Sequence, residues 1–203
     1  ARRIEIAAYR DCDVLIAVSQ PLKALLAERC GIAPEKILVV PNAVELGRFD
    51  PSLNGRDRFF AEPTLGFVGG LIAWQALDLL LAALAGLRAE GIVLGLAVIG
   101  DGAMLGPWRQ RAAELGIADR VAFTGQVAGT AVGRMLARCD IGYSGPKRMA
   151  IGSMYHSPIK LYEYMAQGLP VLAAAFDDAR GLVDGRGTGL LFEPGDLADL
   201  CRA

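Results

Sequence analysis

The sequence predicts an α/β fold, a doubly wound and mainly parallel Rossmann-like sheet with a remnant of a second domain before it. Three observations carry that expectation. Short apolar runs alternate along the 203 residues with stretches of helical period, and such βα repetition is the pattern of a parallel sheet wrapped by helices. The runs are continuous rather than alternating, which suits strands covered on both faces. The 25 glycines fall mostly between the runs, where tight turns need them.

The strand runs are Val14–Val18, Ile37–Val40, Leu65–Val68, Val93–Ile99, Val121–Phe123, Asp140–Tyr143, Pro170–Ala174 and Gly189–Phe192. After the first, Ser19 is placed to cap a helix over Pro21–Arg29, and Gly31 is placed to stop it. Leu77–Leu87 reads as a helix apolar on most of its surface, and Trp108–Leu115 as one with charges opposite its apolar positions. Ser157 is expected to cap a helix with Pro158 in its first turn, ended by Gly168 before the strand at Pro170.

One segment breaks the rhythm. Residues 42–62 are polar and interrupted by Pro and Gly, the composition of a linker. Residues 1–41 then form the tail of one α/β domain and residues 63–203 most of another. The first piece is too short to fold alone, and the chain begins with Ala1 rather than Met, so further sequence is expected upstream.

Composition excludes several classes of function. Lys and Arg number 21 against 22 Asp and Glu, a net charge of −1, whereas a nucleic-acid binder shows a basic excess. A hydrophobic content of 53% excludes a disordered chain. No apolar run approaches the ~20 residues of a membrane-spanning helix, and the first residues lack the pattern of a signal peptide. Cys12, Cys30, Cys139 and Cys201 form no closely spaced pair, and His156 is the single histidine. No metal site is expected from that inventory, and the cysteines read as small apolar residues of a reduced, cytoplasmic protein.

The chemistry-bearing segments lie after strands. Gly69-Gly70 follows Leu65–Val68, where bared backbone amides suit either a tight turn or a phosphate. Gly100-Asp101-Gly102 lacks the third glycine of a dinucleotide fingerprint. At the start of the helix after Ser157, the free amides of Ile159 and Lys160 and the Lys160 ammonium would face an anion. Glu163, one turn further in, could accept hydrogen bonds from two adjacent hydroxyls, an arrangement that fits a ribose beside a diphosphate. Asp11-Cys12-Asp13 is read as a coincidental match to metal-binding Asp-x-Asp, Asp177-Asp178 as a solvated loop and helix cap, and Trp74 and Trp108 as packing or cleft residues.

Asp13–Ser19, Val39–Val44, Gly66–Gly69, Val98–Gly102, Arg120–Gly125 and Lys160–Ala166 occur in an order and spacing that resemble the C-terminal half of a group 1 (family 4) glycosyltransferase of GT-B fold. The resemblance covers essentially the whole chain. It implies retaining, metal-independent transfer of a sugar from a nucleotide diphosphate sugar to a glycan or lipid-linked acceptor, as in polysaccharide biosynthesis, with no cofactor and no nucleic acid. Residues 1–41 become the tail of the acceptor domain and residues 63–203 the donor domain. Peripheral contact with the inner face of the membrane, through the upstream domain, stays open.

The residues carry over where motifs match. Glu163 falls on the glutamate that holds the ribose, Ile159 and Lys160 on the amides at the diphosphate, Gly69 on the first donor-domain loop with Gly70 beside it, and Gly125 through Val127 on the loop lining the base. The departures are Gly70 where the family often has Arg, Gln75-Ala76 where it has Lys-Gly, and Tyr155 where its first glutamate falls. Lys147 and Arg148 are candidates to replace the lost cations, and His156 to touch a sugar hydroxyl or phosphate. No residue qualifies as a nucleophile, and the catalytic group stays unassigned. The alternatives are a non-catalytic GT-B-like binding module and, behind it, a sugar-nucleotide epimerase of the same architecture.

Overall fold

A computed structural model of the chain describes residues 2–148 and 155–203, with side chains from residue 5 onward. Two parallel sheets follow one another. The first has β1 (Leu15–Ala17) beside β2 (Ile37–Val39), flanked by α1 (Arg2–Asp11) and α2 (Gln20–Cys30). Its small core holds Ala17, Leu26, Ile32 and Ile37. The expected signals set α2: the Ser19 hydroxyl accepts from the Leu22 N–H at 3.2 Å, Pro21 lies in the first turn, and Gly31 closes the end in the left-handed region.

The second sheet has six parallel strands in the order β5-β4-β3-β6-β7-β8. These are β3 (Thr64–Val68), β4 (Gly95–Ile99), β5 (Val121–Gly125), β6 (Ile141–Ser144), β7 (Val171–Ala174) and β8 (Gly189–Phe192). Helices α3 (Leu77–Ala89), α4 (Leu105–Glu114), α5 (Val132–Leu136), α6 (Ile159–Ala166), α7 (Asp177–Val183) and α8 (Leu197–Arg202) cover it. Alternate residues of each strand serve two cores. Leu65, Phe67, Leu96 and Val98 pack with Leu77, Leu81, Trp108 and Leu200 on one face. Val68, Ala97, Ile99 and Val171 pack with Leu136, Leu161, Tyr164 and Val183 on the other. Trp108, 1% exposed, is thus a core residue.

All eight strands coincide with the predicted runs. The helices α1, α5, α7 and α8 were not foreseen, because each is short or lacks a capped apolar stripe. The connection between the sheets is chain held in place. Phe49 is buried, and Gln167, wholly buried, bonds to both Asp50 and Asn54, its amide donating to the Asp50 carbonyl at 2.8 Å.

The strand order reverses at β3, whose neighbours are β4 on one side and β6 on the other. β3 and β6 pair only at Leu65–Ile141 and Gly66–Gly142, and then part. The Tyr164 hydroxyl spans the gap, accepting from the Val68 N–H at 3.1 Å and donating to the Tyr143 carbonyl at 2.8 Å. Its ring fits because residue 142 is glycine, since a Cβ there would come within 2.2 Å of the ring. Removing that hydroxyl leaves two buried backbone groups unpaired. Tyr164→Phe should therefore lower stability in urea unfolding by about 1–3 kcal/mol, and an unchanged midpoint would show that the bridge contributes nothing.

Candidate functional site

In open α/β sheets ligands bind beyond the carboxyl ends of the strands, where the order reverses. One cavity here has that position. It has a volume of about 300 Å³ and is lined by Val68 and Gly69 at the end of β3, Ser144 at the end of β6, Ala174 at the end of β7, Phe176 beyond it, and the first turn of α6. Val68 and Gly69 also line a second cleft of about 540 Å³, which continues past Gly70, Gly100 and Asp101 to Gln126 and Val127. The two spaces meet over Gly69 and could take the two ends of one elongated ligand.

Gly69 and Gly100 make that meeting point passable. Gly69 has φ +134° and Gly100 φ +144°, and a Cβ on Gly100 would lie 2.0 Å from the Gly69 carbonyl oxygen. Only glycine allows the two βα turns to approach so closely. Gly125 stands just outside the second cleft, where its carbonyl accepts from the Gly100 N–H at 3.1 Å.

Helix α6 points its first turn into the cavity, with Ile159, Lys160 and Glu163 all in the lining. The expected Ser157 cap is not formed. Pro158 occupies the capping position with no side-chain bond, because the buried Ser157 hydroxyl accepts instead from the Asn42 N–H at 3.0 Å. The first amides of α6 therefore have no capping side chain, as an anion site requires. Asn42 also donates through Nδ2 to the Ser157 carbonyl at 2.6 Å, and the Ser19 hydroxyl donates to the Tyr155 carbonyl at 2.9 Å. Residues from the first part of the chain thereby fix the irregular segment 155–158 that leads into α6.

Lys160 is 8% exposed. Its Nζ donates to Gln75 Oε1 at 2.8 Å and lies 3.9 Å from the centre of the Phe67 ring. A Cβ at Gly69 would lie 3.6 Å from this Nζ, so the glycine leaves the ammonium uncovered on that side. Burial pulls the Lys160 pKa down to about 7, against a smaller upward pull from Glu163. Glu163 is half-buried, and burial holds its carboxyl above the usual range while the Arg48 and Lys160 charges oppose this. Arg48 also donates to the Gly129 carbonyl beyond β5, so Glu163 lies on the side of the cavity that faces the second cleft.

The remaining candidates divide. His156 lines the cavity and its ring stacks on Trp74, with centroids 5.2 Å apart. Tyr155 stands behind it, its ring 5.3 Å from that of His156, and contributes no lining surface. Lys147 and Arg148 line neither space. Arg148 is paired with Glu193 and lies over Phe176. Asp178 corrects the reading of Asp177-Asp178 as solvated: Asp177 is exposed, but Asp178 lines the cavity and its Oδ2 is shielded from solvent.

Gln75 and Asn42 were missed as site residues. Gln75 stands where the resemblance placed a phosphate-binding Lys, and it turns inward to hold Lys160. Ala76, where the family has Gly, keeps the glycine-like backbone at φ +50°. Asn42 carried a signal, because it lies in the matched segment Val39–Val44.

Comparison with known proteins gives the context. Residues 62–203 match the profile of the family described as glycosyl transferases group 1, and residues 1–48 that of glycosyltransferase family 4. The chain is 29% identical over 189 residues, 89% of its length, to a GDP-mannose-dependent alpha-(1-6)-phosphatidylinositol monomannoside mannosyltransferase of Mycobacterium tuberculosis, covering 49% of that protein. It is 30% identical over 211 residues, 95% of its length, to a D-inositol 3-phosphate glycosyltransferase of Geodermatophilus obscurus, covering 45% of it. The chain thus spans about half the length of these relatives. Among solved structures, Anabaena HepE in complex with UDP and glucose superposes with a TM-score of 0.78 at 22% identity, covering 98% of this chain and 55% of HepE. WaaG, a glycosyltransferase involved in lipopolysaccharide biosynthesis, gives a TM-score of 0.76 at 19% identity, covering 93% of this chain and 51% of WaaG. A six-stranded parallel sheet with this strand order, and a family profile that spans it from end to end, lead to one assignment: the chain belongs to the group 1 glycosyl transferases, with the GT-B fold.

Proposed function

We propose that this chain carries the donor site of a retaining glycosyltransferase, which passes a sugar from a nucleotide diphosphate sugar to a glycan or lipid-linked acceptor. The observation that supports it most is the uncapped first turn of α6, opening on the cavity at the reversal of strand order. In this reading residues 63–203 bind the donor, residues 42–62 connect, and residues 1–41 end the domain that receives the acceptor. The protein works on the cytoplasmic side, with peripheral contact at the inner membrane face through the rest of the acceptor domain. Among the described residues no helix is long and apolar enough to cross a membrane. The name of the mycobacterial relative, which pairs GDP-mannose with a phosphatidylinositol mannoside, supports a lipid-linked acceptor.

The ligand lies along the two spaces. The base stacks toward Val127 and the loop after Gly125, the ribose hydroxyls bond to Glu163, and the diphosphate meets the Ile159 and Lys160 amides beside Gly69 and Gly70. The sugar occupies the cavity near His156. Positive potential from the helix terminus and the Lys160 ammonium stabilises the departing nucleoside diphosphate as charge develops on it. Lys160 becomes the principal side-chain cation at the phosphates, since Gly70 and Gln75 supply none and Arg148 is engaged by Glu193. That scarcity of cations favours a second reading, a non-catalytic binding module, which turnover of any nucleotide sugar by the full-length protein would exclude.

Two expectations follow for calorimetry with UDP and GDP. Glu163→Ala should weaken binding at least about tenfold, the effect of one lost charge-assisted hydrogen bond, while affinity for the matching 2′-deoxy nucleotide changes far less. Equal losses for both would remove Glu163 from the ribose. The second expectation concerns pH. Burial lowers the Lys160 pKa to about 7, so its contribution to folding stability is present above its ordinary pKa and is lost as pH falls through 7. A bound diphosphate favours the charged form, so the sign for binding is opposite. Affinity should fall as pH rises above 7, by up to about tenfold per unit, with a proton taken up on binding, and Lys160→Met should flatten the profile. A wild-type profile already flat from pH 7 to 9 would separate Lys160 from the phosphates.

A further inference from the structure

Beyond the diphosphate position the cavity contains a second carboxylate, contributed by α7 rather than by α6, which carries Glu163. Asp178 follows β7, and together with Phe176 and Ala179 it forms the wall that continues from Ala174. Its Oδ2 has no contact with solvent and no hydrogen-bond partner among the described residues. A carboxylate oxygen left this way opposes folding, because its desolvation is uncompensated. Burial and the neighbouring Asp177 charge accordingly push its pKa up to about 6. Among the described residues no cation pairs with it to explain its place: Arg148 pairs with Glu193 and Lys160 with Gln75.

Resting on the donor-site reading above, we infer that Asp178 is a specificity-determining residue that accepts hydrogen bonds from adjacent hydroxyls of the transferred sugar, selecting a neutral hexose over a uronic acid. The position follows from the order of the lining. Glu163 lies toward Arg48 and the second cleft, Gly69 and the α6 terminus lie in the middle, and Asp178 lies with Phe176 on the β7 side. A nucleotide sugar laid base-first from Val127 reaches Asp178 with its sugar ring. Hydroxyl donors would satisfy the unpaired oxygen, whereas a sugar carboxylate would bring like charge into a desolvated space. Aromatic groups at Trp74, His156 and Phe176 bound the same space and suit the apolar faces of a pyranose.

The test measures affinities of the full-length protein for UDP, UDP-glucose and UDP-glucuronic acid, and for GDP and GDP-mannose, with wild type, Asp178→Asn and Asp178→Ala. Asp178→Ala should lower the affinity of the preferred nucleotide hexose relative to its own nucleoside diphosphate by about tenfold, leaving the latter within about twofold. It should also narrow the discrimination against the glucuronic acid donor, with Asp178→Asn between it and wild type. Neither variant should melt below the wild type without ligand, because the substitution removes an uncompensated buried charge. An unchanged ratio of sugar nucleotide to diphosphate affinity would overturn the role of Asp178, as would a lowered melting point with equal losses for both ligands. Failure of the wild type to bind any of the five probes is a distinct result: it would reject the donor site itself, and this role with it.

Discussion

Beyond Gly66 and Gly142 the strands β3 and β6 no longer pair, and the Tyr164 hydroxyl joins their separated ends by accepting from one and donating to the other. This bridge keeps a gap in the sheet open without leaving backbone groups unsatisfied, which burial would otherwise penalise. Because Tyr164 belongs to α6, the same contact that holds the strands apart also seats the helix on them. The helix and the crevice therefore share one side chain, with Gly142 as the residue that admits its ring, while Ser19 and Asn42 hold the segment entering the helix.

The electrostatics of the cavity follow from that placement. Lys160 stands on the first turn of the seated helix and is buried against Phe67, with Gln75 as its neutral partner. A lysine at position 75 would bring two ammonium groups together in a desolvated space. Glutamine there and a buried Lys160 form one consistent arrangement, in which burial holds one ammonium close to neutrality. Glu163 and Asp178, both with carboxyls raised by burial, divide the two ends of the cavity. Raised or lowered ionisation on three groups in one concave space is characteristic of a functional site.

Much of this was legible in the sequence, for identifiable reasons. The strands were readable because buried parallel strands are continuous apolar runs, and α2 because Ser19, Pro21 and Gly31 mark its ends. The approach of Ile159, Lys160 and Glu163 to Gly69 could be inferred because the motif and the turn each end a βα unit on the same edge of the sheet. Other features depend on contacts between residues distant in sequence. Ser157 has the residue type of a cap, but Asn42, 115 positions earlier, takes its hydroxyl. Asp178 looks like a surface residue beside Asp177 until the fold turns it toward the cavity. Arg148 follows Ser144 and Pro146 of the cavity wall closely in sequence, yet Glu193 engages it.

We infer that the parted strands and the seated helix together make a diphosphate site. A crystal structure of the full-length protein with a nucleoside diphosphate tests it most directly. Phosphate oxygens are expected about 3 Å from the Ile159 and Lys160 amides, with the Lys160 ammonium turned toward them past Gly69. A nucleotide bound with its phosphates away from the start of α6, and Lys160 still bonded only to Gln75, would contradict it.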